Sequence, residues 1–127
     1  MKPMRSSLLA LALVAVLAAC GTTNAGGETD QPTTGDVTVT AADMAFDPGS
    51  VTVTAAGESF TIAFTNSDGM PHNIAIYADD SKAEKLFEGE MVTDGSIVYT
   101  IPALDAGTYF FDCSLHPNMT GTLVVEG

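Results

Sequence analysis

The sequence predicts an all-β domain, a sandwich or barrel built from short strands. Apolar residues alternate with threonine over short runs, these runs recur at short intervals, and turn-forming residues separate them. The sequence has no internal repeat. The predicted strands, in chain order, are 37–40, 51–54, 60–64, 72–77, 97–101, 107–113 and 122–125.

The first three strands carry the clearest alternation. Residues 37–40 and 51–54 alternate valine with threonine, as half-buried strands do. Asp47-Pro48-Gly49 predicts a turn between them, and Ala56-Gly57-Glu58 predicts a turn after the second. Along 60–64, Phe60, Ile62 and Phe64 share one face, which predicts a strand that packs on a core.

The middle of the chain is less regular. Residues 72–77 predict a fourth strand, and Pro71 suits the position just before it. The alternation breaks over 79–90, and a short helical turn is predicted at 82–87. Strand alternation returns at 97–101.

The strand at 107–113 follows a turn at 105–107 and ends on a cysteine. Side chains on a strand alternate between its two faces, so Tyr109, Phe111 and Cys113 share a face. Two aromatic rings beside the thiol predict that Cys113 points inward, at the end of an apolar core.

The four residues His72, Cys113, His116 and Met119 form a candidate metal site. The chain contains only two histidines, and both are in this set. A thiolate, two imidazoles and a weakly bound thioether are the ligands of a blue-copper site. Cys113, His116 and Met119 follow each other at intervals of three, so one loop could supply three ligands, while His72 must come from another strand.

These residues belong to two blocks through which the chain resembles the cupredoxins, the type 1 blue copper proteins, and among them the amicyanin- and plastocyanin-like members. The matching residues are Asn66, Asp68, Met70, Pro71, His72, Asn73, Gly107, Thr108, Tyr109, Cys113, His116, Pro117, Met119 and Gly121. The likeness extends over residues 36–127. It implies a Greek-key β-barrel or sandwich with one copper ion near its end.

The resemblance also implies a role for each residue of the site. His72, Cys113 and His116 would be the equatorial ligands and Met119 the axial one, while Asn73 would brace the cysteine loop through hydrogen bonds. Met4, Met44, Met70 and Met91 are not expected to be ligands, and Asp68 is predicted to be a turn residue. His116, with the apolar Leu115 and Pro117 beside it, is the predicted exit for electrons.

The first 36 residues predict export and lipid anchoring. Lys2 and Arg5 precede an apolar run at 6–17, and Leu17-Ala18-Ala19-Cys20 fits a bacterial lipoprotein signal, with ordinary secretory cleavage as the alternative. We therefore expect a signal peptide at 1–19, a lipidated Cys20 with a flexible tether over 20–36, and a copper domain at 37–127. The domain would face the periplasm or the cell exterior, held to the membrane by its lipid alone.

The chain is strongly acidic, with sixteen acidic and four basic residues and a formal net charge of −12. Beyond Cys20 only Lys82 and Lys85 are basic, and Cys113 is the only thiol. The charge disfavours nucleic acid and favours a basic partner, although it could equally serve solubility or adaptation to salt. An unpaired cysteine in an exported protein is explained by metal ligation or by intermolecular pairing.

Together these features predict a monomeric, non-enzymatic electron carrier that exchanges single electrons with a cytochrome, oxidase or dehydrogenase. A copper chaperone or storage protein is the alternative, although such proteins favour exposed sites rich in methionine or histidine. A copper oxidase or nitrite reductase would need further histidines. A structural zinc site would use more thiolates, and a β-sandwich with an accidental ligand pattern is the last alternative.

Overall fold

The structure is a computed structural model that describes residues 35–127. The predicted signal peptide, Cys20 and all but the last two residues of the predicted tether lie outside this range. Nine strands make up the secondary structure of the described residues: β1 (Val37–Ala42), β2 (Ala45–Asp47), β3 (Ser50–Thr54), β4 (Phe60–Asn66), β5 (Ala75–Tyr77), β6 (Lys85–Glu88), β7 (Gly95–Ile101), β8 (Gly107–Cys113) and β9 (His116–Glu126). Residues 35–127 include no helix of the length and apolarity that crossing a membrane requires.

The strands form two sheets that pack face to face. One sheet has the order β2-β1-β4-β7, and the other has the order β3-β9-β8-β5-β6. The pairs β1–β4 and β3–β9 are parallel, whereas the remaining pairs are antiparallel. The all-β sandwich prediction is therefore confirmed.

The core lies between the two sheets and is made by the inward residues of each strand. Phe64 of β4 and Phe111 of β8 are almost completely buried, and Phe46 packs against both rings, with centroids 6.4 and 5.2 Å away. Edge-on and tilted aromatic contacts at these distances are favourable beyond the area they bury. The packed core forms a rigid base for the loops at the end of the sandwich.

Two strands were not predicted, and one predicted helical turn is wrong. Residues 85–88 form β6, which pairs with β5, so no helical turn covers 82–87; Lys82 instead has a φ of +58°. Leu86 and Phe87 are half-buried against the core, which explains why this segment is extended. The other missed strand, β2, is only three residues long and buries Phe46 alone.

Two strand boundaries also differ from prediction at the end that holds the candidate site. The strand predicted at 72–77 begins only at Ala75, and His72 instead makes an isolated bridge with Val92. The predicted loop over 113–119 is reduced to the two-residue turn Ser114-Leu115, because β9 already begins at His116. Pairing between Cys113 and His116 closes this turn.

We expect Gly121→Ala to destabilise the fold, because Gly121 lies opposite Phe111 in the β8–β9 pair and a Cβ there would overlap the buried ring. Overpacking of this kind typically costs about 1–3 kcal/mol. Chemical denaturation of both proteins would measure the loss. Gly107→Ala, on β8, is the control: its Cβ would lie 3.8 Å from the Tyr109 ring, and we expect a change within about 0.5 kcal/mol. Equal stabilities for Gly121→Ala and the unmodified protein would contradict the packing argument.

Candidate metal centre

The structure brings three predicted ligands together at one end of the sandwich. Cys113 ends β8, His116 begins β9 directly after the tight turn, and His72 arrives from the loop between β4 and β5. Backbone hydrogen bonds in both directions, 3.0 and 2.9 Å long, fasten His72 to Val92. Each of these predicted ligands is thus held by strand pairing or by a bridge to a neighbouring segment.

The donor atoms of these three residues converge. Nδ1 of His72 lies 3.1 Å from Nδ1 of His116, and Cys113 Sγ lies 3.7 and 3.5 Å from the same two nitrogens. The two imidazole rings meet edge to face, with centroids 4.7 Å apart. Two nitrogens and a sulfur that all lie within 4.8 Å of one another can bind one metal ion.

The four predicted ligands differ in how deeply they are buried. His72 and Cys113 are fully buried, and His116 is half-buried. Met119 lies in β9, three residues after His116, and its side chain is 1% exposed within the same core cluster as Cys113. Of the four predicted ligands, only His116 thus reaches the surface.

Asp68 contributes more to the site than a turn residue would. Its Oδ2 lies 2.8 Å from Nε2 of His72, and the backbone N–H groups of Asp43 and Met44 donate to its two oxygens at 2.9 Å. The hydrogen bond from Met44, followed by the one from His72, lowers the pKa of Asp68 below its usual value. An ionised Asp68 fixes the proton of His72 on Nε2 and leaves Nδ1 free for a metal.

Asn66 organises the loop that carries Asp68 and His72. Its side-chain amide nitrogen donates to the carbonyls of Met70 and Val92, both at 2.6 Å, and its Oδ1 accepts from the N–H of Asp68. Asn66 is buried, so these bonds satisfy groups that water cannot reach. The amide thereby fixes the loop on both sides of the site.

Asn73 joins the histidine segment to the cysteine turn. Its Oδ1 accepts from the N–H of Ser114 at 2.9 Å, and its Nδ2 donates to the Gly89 carbonyl and to Ser114 Oγ. Ser114 Oγ donates in turn to Glu88. These contacts connect residues that lie 41 positions apart in the sequence.

An ion pair beside the cysteine was also not predicted. Asp112 is 1% exposed, and one of its oxygens lies 2.6 Å from Nζ of Lys82. The hydrogen bond to Asp112 raises the pKa of Lys82, whose Nζ also lies over the Tyr77 ring. The pairing of these two residues depends on the loop between β5 and β6, which no local sequence pattern specified.

A thiol, two imidazoles and a thioether at the end of a two-sheet sandwich define a type 1 copper protein. The Cupredoxin-like domain model matches residues 9–125, and the chain belongs to that family. One type 1 copper ion, the predicted cofactor, suits both this donor set and the family.

Two curated relatives are consistent with this membership. Amicyanin from Paracoccus versutus is 32% identical over 136 residues, covering 98% of this chain and 97% of the relative. Plastocyanin from Rumex obtusifolius is 36% identical over 91 residues, covering 65% of this chain and 89% of the relative.

Solved structures show the same architecture. The crystal structure of amicyanin from Paracoccus versutus has a TM-score of 0.55 at 37% identity, covering 71% of this chain and 80% of that one. Reduced auracyanin from Roseiflexus castenholzii has a TM-score of 0.61 at 22% identity, covering 72% of this chain and 96% of that one. At 22% identity, the similarity to auracyanin shows only that the two proteins share a fold.

We expect Asp68→Asn to weaken copper binding, because the amide removes the negative charge that orients and polarises His72. Changes to groups that hydrogen-bond a metal ligand typically cost about 10–100-fold in affinity. Competition with a copper chelator would measure the loss. Asp43→Asn is the control, because only the backbone N–H of Asp43 contacts Asp68. Unchanged affinity in Asp68→Asn would show that the contact does not support the site.

Proposed function

We propose that this protein is a mononuclear type 1 copper carrier that shuttles single electrons between redox proteins outside the cytoplasm. His72, Cys113 and His116 are the proposed equatorial ligands and Met119 the proposed axial ligand. The observation that carries the proposal is the convergence of Nδ1 of both histidines on the buried thiol of Cys113. Copper in such a site supplies a one-electron Cu(I)/Cu(II) couple.

The protein's own contribution to this function is rigidity. Cu(I) and Cu(II) prefer different geometries, so a site that prevents rearrangement favours fast electron transfer. The proposed ligands are restrained by the bridge between Val92 and His72, by the pairing of Cys113 with His116, and by the hydrogen bonds between Asn73 and Ser114. Pro117 lacks a backbone N–H and further limits the segment after His116.

The proposed electron exit is the edge of His116. The side chain of Leu115 is 56% exposed in the turn beside it, and Pro117 is exposed on the other side. A small apolar contact suits a transient complex, which must dissociate quickly. The acidic body would steer a basic partner such as a cationic cytochrome toward this contact.

We also propose that the protein is anchored to a membrane, on the basis of its N-terminal sequence. Lipid attached to Cys20 would hold the copper domain at a membrane of the cell envelope, and the polar tether would let it move toward its partners. The acidic charge argues against a nucleic-acid partner. We infer that the domain works as a monomer.

The proposal is tested by the rate of electron exchange with a cationic cytochrome in stopped-flow experiments. We expect Leu115→Glu to slow the bimolecular reaction about tenfold, roughly 1.4 kcal/mol, because a carboxylate placed in the apolar contact loses hydration that its attraction to the cytochrome does not restore. The copper spectrum should stay unchanged. Ala103→Glu is the control: it adds the same charge at an exposed position, in the loop before β8.

Two outcomes would contradict parts of this proposal. An unchanged rate in Leu115→Glu would place the exit elsewhere. A protein that exchanged no electrons with any cytochrome but released its copper to a weak chelator would instead be a chaperone or store.

A further inference from the structure

A buried carboxylate lies beside the proposed copper site, on the outer side of its sheet. Asp112 directly precedes Cys113 in β8, so the Cα atoms of the two residues are about 3.8 Å apart. Phe111 is part of the core between the sheets, and the alternation of the strand directs Asp112 to the opposite side of the sheet. Asp112 is therefore adjacent to a proposed ligand without being a candidate ligand itself.

The loop between β5 and β6 covers this carboxylate. Lys82, in that loop, places its Nζ 2.6 Å from Oδ2 of Asp112. Backbone hydrogen bonds hold the loop closed. The N–H of Ala78 donates to the carbonyl of Glu84 at 3.0 Å, and the N–H of Lys82 donates to that of Asp79 at 3.2 Å. A carboxylate on the outer side of a sheet would ordinarily meet water, but Asp112 is only 1% exposed.

Stability does not explain why a charge is buried here. Oδ1 of Asp112 has no hydrogen-bond partner, and it is the only buried side-chain oxygen or nitrogen of residues 35–127 that lacks one. Burying a charge with incomplete hydrogen bonds is costly, and apolar replacements of buried ion pairs are often neutral or stabilising. Only two basic residues follow Cys20, Lys82 and Lys85, and one of them is committed to this carboxylate.

We propose that Asp112 and Lys82 together set the reduction potential of the copper site. The inference rests on the proposed function. Reduction adds one electron to the site, with no proton moved and no bond made or broken, so the oxidised site carries one more positive charge than the reduced site. A nearby negative charge favours the more positive form, and burial keeps this interaction from being screened.

The two charges of the pair do not act equally on the site. Asp112 is buried and adjacent to Cys113, whereas the side chain of Lys82 is 38% exposed and reaches the carboxylate from the loop. Water weakens the field of the partly exposed cation more than that of the buried anion. Asp112 therefore lowers the potential, and Lys82 offsets part of this effect.

The test compares the reduction potentials of copper-loaded variants by potentiometric titration. Asp112→Asn removes one negative charge but keeps the shape and an acceptor for Lys82. We expect its potential to rise, with the one-electron equilibrium shifted toward Cu(I) by at least about threefold, or about 28 mV. The visible copper band should stay in place. The rise should persist at about 1 M salt, because a buried charge is little screened.

Asp80→Asn is the matched control. It removes the same charge from an exposed position in the same loop. Its shift should be smaller than that of Asp112→Asn, and it should vanish at about 1 M salt.

A double variant covers the case in which Asp112→Asn fails to fold. Lys82→Met with Asp112→Leu replaces the ion pair with apolar side chains, a change that proteins often tolerate. Its potential should also rise, but by less than in Asp112→Asn, because the cation is removed as well. A further measurement needs no copper: in the metal-free protein, the nitrogen NMR signal of the Lys82 ammonium should shift in Asp112→Asn and stay in place in Asp80→Asn.

The outcomes separate this inference from the proposed function. Equal potentials in Asp112→Asn and Asp80→Asn, an unchanged or lowered potential in the double variant, or an unshifted Lys82 signal would overturn the inference and leave the carrier proposal standing. A potential that moved only together with the copper band would also overturn it, because Asp112 would then act by positioning Cys113. Absence of a reversible one-electron couple in the unmodified protein would overturn the proposed function itself.

Discussion

Cys113→Ser is expected to abolish the intense visible absorption of the oxidised copper protein completely. The band arises from charge transfer between a thiolate and Cu(II), and a serine hydroxyl provides neither the soft sulfur nor its charge. Cys113 is fully buried and lies 3.5 and 3.7 Å from the nitrogens of His116 and His72. Absorption spectra and copper content after Cu(II) loading would measure the effect.

The other cysteine of the chain provides the control for this experiment. Cys20→Ser removes the proposed lipid attachment but lies outside the copper domain, so its protein should keep the full band. The same variant should leave the protein unprocessed or released from the membrane. A blue Cys113→Ser protein, or an unmodified protein that prefers zinc in the presence of excess copper, would refute the site assignment.

The second large effect is expected at Met119. Met119→Leu should raise the reduction potential, because removing a weak sulfur donor favours Cu(I), and Met119→Gln should lower it, because a harder oxygen donor favours Cu(II). We expect a change of at least about 59 mV, which is a tenfold change in a one-electron equilibrium. Both proteins should remain blue, since the thiolate and imidazoles are untouched.

Potentiometric titration would measure both Met119 variants beside a control. Met91→Leu makes the same substitution at an exposed methionine, and its potential should match that of the unmodified protein. Unchanged potentials in both Met119 variants would show that Met119 is not the axial ligand. A Met91→Leu potential shifted as far as that of Met119→Leu would mean that the effect is not specific to the axial position.

The strands with strong alternation were predictable, whereas the weaker ones were not. Residues 107–113 were predicted with their observed boundaries, because turn-forming residues precede them and a run of threonine and aromatic residues leads up to Cys113. The strand β2 has only three residues, which is too short for an alternation of apolar and polar residues to be recognised. β6 carries charges at both ends, at Lys85 and Glu88, and becomes a strand only through its pairing with β5.

Within the site, too, some features were predictable from the sequence and others were not. The spacing of Cys113, His116 and Met119, together with the scarcity of histidine, was enough to predict copper chemistry. The role of Asp68 was not predictable, because a carboxylate four residues before a histidine in an irregular loop has no characteristic spacing. Its contact with His72 depends on how the loop folds around Asn66.

The amino-acid sequence by itself determined the kind of domain, the donor set and the acidic character of this protein, since all three depend on residue type and local spacing. Only the tertiary structure decided which groups meet. Asn73 contacts Ser114 across 41 positions, and Lys82 contacts Asp112 across 30. Contacts at such separations depend on the packing of the two sheets, which local periodicity does not encode.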